Sequence, residues 1–221
     1  VTEEELSELI RDCPTLYHMA ELGSLSSIRE HGLLSTSSLL NLYQTSEPPR
    51  DAIESQRRDA SVTLQRDGLQ PAVVRDQLPM DDKGLTRCLS DGLTPRDWYR
   101  LLNSRVFFWL TKDRLIRLLS AGTYRGQEHD VLEIDTASLV GAYKDKIWLC
   151  PINSGCTKPF PHPRGQTTFL RIKDYPYSEW RKKRRAGERA VELCVDEGVR
   201  DIDRFINRAV RMKGAEEIKV L

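Results

Sequence analysis

Ala190-Val191-Glu192-Leu193-Cys194-Val195 is the stretch from which the fold is read. Successive side chains of a strand point to opposite faces, so Val191, Leu193 and Val195 share one face and Ala190, Glu192 and Cys194 the other. The first set is apolar throughout and belongs against a core. A solvent-facing second set would carry Lys, Thr or Glu at every position, yet the neighbours of Glu192 are small and apolar. The pattern predicts a strand whose single carboxylate looks into a cleft. Just upstream, Trp180-Arg181-Lys182-Lys183-Arg184-Arg185 is the most basic run of the chain.

Working outward, the same criteria mark other strands. Thr15 to Met19 reads as the first strand, and Val106 to Leu110, apolar without alternation, as a central one covered on both faces. Residues 129–135 alternate in their second half, Leu132 and Ile134 against Glu133 and Asp135. Residues 62–64 and 72–74 flank the turn Arg66-Asp67-Gly68 as a hairpin, with Arg75 at its end. Residues 217–221 read as a last strand. Between them lie helices: one opened by the capping pair Thr2 and Glu5, one capped by Ser24 and stopped at Gly32, and one over 35–43. Others follow Thr94 and Thr111, the latter closed by Gly122, while residues 150–166 form an irregular proline-rich loop. Asp201 is placed to cap a helix carrying Ile202, Phe205, Ile206, Ala209 and Val210 and ended by Gly214. The outline is an α+β domain, a mixed sheet with inserted helices.

Nothing in the 221 residues shifts in composition sharply enough to divide the chain, so residues 1–221 are expected to form one domain. Charged residues make up 30% but the net charge is +1, so attraction to an anion must be local, and the 181–185 run is its place. No apolar run reaches the roughly 18 residues of a membrane span and no signal-peptide pattern is seen, which predicts a soluble, non-membrane protein. Five cysteines, without paired short spacings, fit free thiols in a reducing compartment, the cytoplasm by default. Cys150, Cys156 and His162 lack a fourth ligand and any two-residue cysteine spacing, so no metal is expected.

The familiar nucleotide-binding glycine motifs are absent, as is a Gly-x-Ser-x-Gly elbow; Ser154-Gly155-Cys156 sits in the proline-rich loop with no clear strand before it. A two-carboxylate hydrolase would need Glu133 or Asp135 to face Glu192. What remains is a sparse set on separate strands: His18, Phe107 with Trp109, and Glu192. Singly, each has an ordinary explanation in packing or solvation. Together they form a candidate constellation.

These residues carry a resemblance. Leu16-Tyr17-His18, followed by a helix and Ile28-Arg29-Glu30-His31-Gly32-Leu33-Leu34, resembles the first segment of ADP-ribosyltransferase-like domains, particularly the DarT-like branch that modifies DNA. Phe107-Phe108-Trp109-Leu110 looks like the second motif, and Ala190 to Val195 like the third, which holds the catalytic Glu. The order of elements matches over most of the chain, through short and degenerate motifs. The arrangement is also similar to an uncharacterised bacterial domain family. The resemblance implies a split mixed or antiparallel sheet and NAD as ADP-ribose donor. It implies Glu192 on the nicotinamide ribose, His18 donating to the ribose carrying the adenine, Tyr17 as a further cofactor-binding residue, Phe107 stacked on nicotinamide, and Trp109 lining the same pocket. Phe107 stands where Tyr is more usual, keeping the ring and losing a hydroxyl. An Arg between the first two motifs is expected to be catalytic; Arg75 and Arg87 are the candidates, and Arg75 is preferred because it ends a strand. Acceptor contacts fall on Trp180, Arg181, Lys182, Lys183 and Arg184, since aromatics beside cations suit DNA, RNA or a nucleotide. The branch further implies a bacterial toxin or defence enzyme with a possible antitoxin. The alternatives are an RNA 2′-phosphotransferase of the same fold, and a binding module on that fold without catalysis.

Overall fold

The computed structural model describes residues 1–221. In chain order the elements are α1 (Glu3–Asp12), β1 (Thr15–Ala20), α2 (Leu25–His31), β2 (Leu33–Leu34), α3 (Thr36–Leu42), α4 (Pro49–Ser55), β3 (Val62–Leu64) and β4 (Ala72–Val74). There follow α5 (Asp82–Cys88), α6 (Pro95–Asn103), β5 (Arg105–Trp109), α7 (Lys112–Leu119), β6 (Glu128–Asp135), α8 (Thr136–Tyr143) and β7 (Ile147–Cys150). The chain ends with β8 (Leu170–Arg171), α9 (Tyr177–Arg181), β9 (Glu192–Asp196), β10 (Gly198–Val199), β11 (Ile206–Lys213) and β12 (Glu216–Val220). The domain is α+β around one eight-stranded sheet, ordered β12-β11-β6-β1-β5-β9-β7-β8, in which every neighbouring pair is antiparallel.

One seam in that sheet is weak. β1 shares six register pairs with β6, and β5 shares five with β9, but β1 and β5 meet only at Tyr17 opposite Trp109. The sheet therefore splays into two four-stranded halves joined at a single point. One face of both halves packs against α1, α2 and α8 through Leu16, Val106, Phe108, Leu132, Leu193 and Val195, all buried. The other face is covered in two patches. Leu115 and Leu119 of α7 pack on Met19, Val131 and Val210, while Leu85, Trp98 and Leu102 of α5 and α6 pack on Cys150 and Cys194. Each fully buried apolar side chain here contributes roughly 1.5–3 kcal/mol. The β3–β4 hairpin with α3 and α4 forms a small satellite core around Leu40, Tyr43, Ile53 and Val74.

The capping box at Thr2 forms as the sequence predicts, and Thr94, expected only to start its helix, makes a second capping box with Asp97. Ser24 and Thr111 stand before their helices without a side-chain capping bond, and α7 ends at Ser120 rather than at Gly122. The expected helix after Asp201 is replaced. Residues 202–204 make one 3-10 turn and residues 206–213 form β11, inserted between β6 and β12; Gly214 turns that hairpin at φ +56°. Ala209 is buried on one face of the strand and Val210 and Met212 on the other. Burial on both faces hides the two-residue alternation and leaves apolar spacings that imitate a helix.

Candidate functional site

The splay between β1 and β5 opens into a cleft of about 340 Å³. Its walls include Tyr17, His18, Arg75, Phe107, Trp109 and Glu192, so the catalytic and cofactor-binding residues expected from sequence meet in one place. The register explains three of them. Tyr17 lies opposite Trp109, and Trp109 opposite Glu192, and directly paired residues project to the same face. Tyr17, Trp109 and Glu192 are thus a row across the seam, on the face left open between α7 and the α5–α6 pair.

His18 projects to the opposite face by alternation, and its ring turns into the gap between the sheet halves. Its Nδ1 lies 2.9 Å from the carbonyl oxygen of Phe107. A carbonyl only accepts, so Nδ1 carries the proton and Nε2 is left as an acceptor. Desolvation pushes the His18 pKa down to about 4 against the opposing Phe107 bond, and the Arg75 charge adds to the lowering, so the ring is neutral at pH 7. This bond stitches β1 to β5 where backbone pairing is sparse.

Glu192 is only 4% exposed. Burial raises its pKa to about 7, against the hydrogen bonds it receives from Ser154. The Ser154 N–H donates to both carboxylate oxygens, at 3.1 Å and 3.3 Å. The Ser154 carbonyl in turn accepts from Arg164 Nη1 at 2.7 Å and from Trp98 Nε1 at 3.3 Å. Ser154 and Arg164 were not legible as partners of the carboxylate, because they belong to the irregular 150–166 loop, where no periodicity reports orientation.

Arg75 follows β4 and enters the cleft beside Tyr124, its guanidinium 5.0 Å from the ring centroid and 3.5 Å from Glu21. Its Nε is buried without a hydrogen bond. Arg87 is exposed on α5 and does not line the cleft. Arg58, absent from the sequence reading, is 9% exposed and links the cleft wall to its surroundings, donating to the Arg75 carbonyl at 2.9 Å and to Asn103 at 3.1 Å. Phe107 meets Phe169 edge-on with ring centroids 5.9 Å apart.

The basic run lies elsewhere. Trp180, Arg181, Lys182, Lys183 and Arg184 do not line the cleft. Arg181 pairs with Glu8 of α1, Lys182 with Glu179 at 2.8 Å, and Arg184 lies 4.3 Å over the Trp180 ring while donating to the Pro151 carbonyl at 2.7 Å. Lys182 and Lys183 face solvent, whereas Arg184 is tied to the beginning of the Ser154 loop. No group of His, Cys, Asp and Glu is arranged to hold a metal ion, and all five cysteines are free thiols.

Residues 14–206 match a family described as "Family of unknown function (DUF7002)". The chain belongs to that family. The matched span contains the first strand, the whole seam and Glu192, and ends at the first residue of β11. No curated protein and no solved structure matches the chain. No helix is long and apolar enough to cross a membrane.

Proposed function

We propose that this DUF7002 protein is an NAD-dependent ADP-ribosyltransferase acting on a nucleic acid or nucleotide. The observation that carries this reading is the row Tyr17, Trp109 and Glu192 across the seam of the splayed sheet, with its one carboxylate buried inside the cleft. The resemblance of the three motifs that carry these same residues to the ADP-ribosyltransferase-like fold also supports it.

The chemistry follows from the groups present. Cleavage of the nicotinamide–ribose bond sends the bonding pair to nicotinamide and leaves an oxocarbenium-like ribose, so stabilisation comes mainly from negative charge held beside it. Ionised Glu192 supplies that charge and accepts a hydrogen bond from the ribose 2′-hydroxyl. The acceptor's nucleophilic atom then bonds to the ribose carbon and gives up its proton. A carboxylate with a pKa of about 7 is well matched to take that proton at neutral pH. Phe107 and Trp109 offer rings for nicotinamide. His18 is expected from the resemblance to donate to a ribose hydroxyl, but its one N–H, on Nδ1, is already given to the Phe107 carbonyl, so it meets that hydroxyl as an acceptor through Nε2. Arg75 brings a cation to the same cleft, its Nε without a hydrogen bond but 3.5 Å from the Glu21 carboxylate. Solvent-facing Lys182 and Lys183 beside Trp180 suit the phosphates of an approaching acceptor, with binding that weakens steeply as salt rises. A toxin or defence enzyme of the cytoplasm, held by an antitoxin, is the biological setting that goes with this chemistry.

The test is incubation with labelled NAD and, separately, single-stranded DNA, duplex DNA, RNA and free nucleotides. Nicotinamide release and mass spectrometry of the acceptor are the readouts. The expected result is ADP-ribose on one nucleic acid or nucleotide class. Thermal stabilisation by NAD with no nicotinamide released under any acceptor would instead mark a non-catalytic binder.

A further inference from the structure

Arg164 is 2% exposed, yet its guanidinium pairs with no carboxylate. A buried cation without an ionic partner is costly unless its donors are all met. Here each guanidinium nitrogen has one carbonyl of its own loop as partner, three bonds for five N–H groups: Nε donates to His162 at 3.1 Å, Nη1 to Ser154 at 2.7 Å and Nη2 to Cys156 at 2.9 Å. The planar fork gathers three carbonyls of a segment that has no strand ladder to define it. The Arg164 backbone is anchored separately, its N–H donating to Cys88 at 2.8 Å and its carbonyl accepting from Ser90 at 2.9 Å. The guanidinium is therefore a strut between the end of α5 and the Ser154 turn. Trp98 of α6 adds a second donor to the same Ser154 carbonyl.

The far side of that turn is the Ser154 N–H, which meets both oxygens of Glu192. We propose that Arg164 is a positioning residue: it clamps the Ser154 turn so that its amide is held against Glu192, and so maintains the ionised carboxylate at its buried place in the cleft wall. The proposal rests on Glu192 as the working carboxylate of the transferase reading, but the clamp itself is independent of which ligand enters. It accounts for a lone buried guanidinium that packing alone would replace with Met or Leu at no ionic cost. The Arg164 charge acts in the same direction, favouring the anion of Glu192.

The test titrates Glu192 directly. In protein carrying ¹³C-labelled glutamate, its carboxyl resonance is identified by its loss in Glu192→Gln and followed against pH. Arg164→Met is expected to raise the ionisation midpoint by about one pH unit, because it removes both the cation and the clamp. Arg164→Lys, which keeps a charge but not the fork, raises it less, and Trp98→Phe also raises it. An unchanged midpoint in folded Arg164→Met overturns the proposal; if that variant does not fold, an unchanged midpoint in Arg164→Lys does so. A residue with only a structural role would lower stability and leave the midpoint in place. If NAD is turned over, the pH profile of nicotinamide release shifts with the resonance. If the resonance shifts and wild type releases no nicotinamide, the clamp stands and the transferase reading falls.

Discussion

At the scale of single residues, Glu192 sets the terms. Its carboxyl was legible as buried because Ala190 and Cys194 flank it, and the structure adds why it can stay there: the Ser154 amide on its oxygens and Arg164 behind that amide. Burial nevertheless favours the protonated form, with a folded pKa of about 7 against an ordinary 4.5. A raised acid pKa stabilises the fold fully below pH 4.5, and that contribution is lost as pH rises through about 7. Glu192→Gln removes the cost of burying the anion. It is expected to gain stability over wild type at pH 8, by about 3 kcal/mol at most, and to match it more closely at pH 5, as read by urea unfolding at both values. The proposed nicotinamide release draws on the anion, so its rate is expected to rise through pH 7 to a plateau; a rate that falls across that interval would assign the essential form to the acid. The choice between Arg75 and Arg87 was open in the sequence, because both precede β5. Only the fold separates an arginine in the cleft wall from one on the surface of α5.

At the scale of elements, all three motif strands are present, but β9 begins only at Glu192, so Ala190 and Val191 precede it and Ala190 packs with Leu193 and Val195 in the main core rather than beside Glu192. β5 is flanked by β1 and β9, and its unbroken apolar run predicts that central place. β11 is also buried on both faces, at Ala209 and at Val210 and Met212, but Asn207, Arg208 and Arg211 interrupt its apolar run and leave helical spacings, and the long pairing with β6, a tertiary contact, decides the strand. Gly32 illustrates a signal correct in kind and incomplete in content. Its place after α2 predicts a helix stop, and it does end the helix, at φ +88°. The sequence did not show that β10 runs beside it. A Cβ at Gly32 would stand 2.5 Å from the Arg200 Cα, where the chain leaves the short β2–β10 ladder that closes one side of the cleft. Gly32→Ala combines backbone strain with a collision against main chain, neither of which a rotamer change relieves. It is expected to destabilise the domain by roughly 3 kcal/mol in urea unfolding. A loss under half a kcal/mol would show that β2 and β10 separate easily.

At the scale of the whole molecule, a net charge of +1 leaves little long-range attraction for a nucleic acid, so recognition of the proposed acceptor has to be local. The basic run is there, but Arg181 and Arg184 hold α9 to α1 and to the Ser154 loop. The sequence displayed the charges and not their partners. The fold also contains two histidines held neutral, His18 and the fully buried His129, each brought down to about 4 chiefly by desolvation. A lowered histidine pKa gives stability that is complete above pH 6.5 and lost as pH falls through 4. Neither ring nitrogen of His129 has a hydrogen-bond partner, so His129→Leu is expected to move the acid-unfolding midpoint, followed by circular dichroism, to lower pH. An unmoved midpoint would show that this ring does not govern acid unfolding. Both halves of the sheet, the stitch at His18 and the clamp on Glu192 converge on one cleft, and the central claim is that this cleft breaks the nicotinamide–ribose bond. The most direct measurement is nicotinamide released from NAD at pH 8 by wild type and by Glu192→Gln, with nucleic acid present. Wild type is expected to release nicotinamide, and a folded Glu192→Gln roughly a hundredfold less or lower still. Equal release by the two proteins would contradict the central claim.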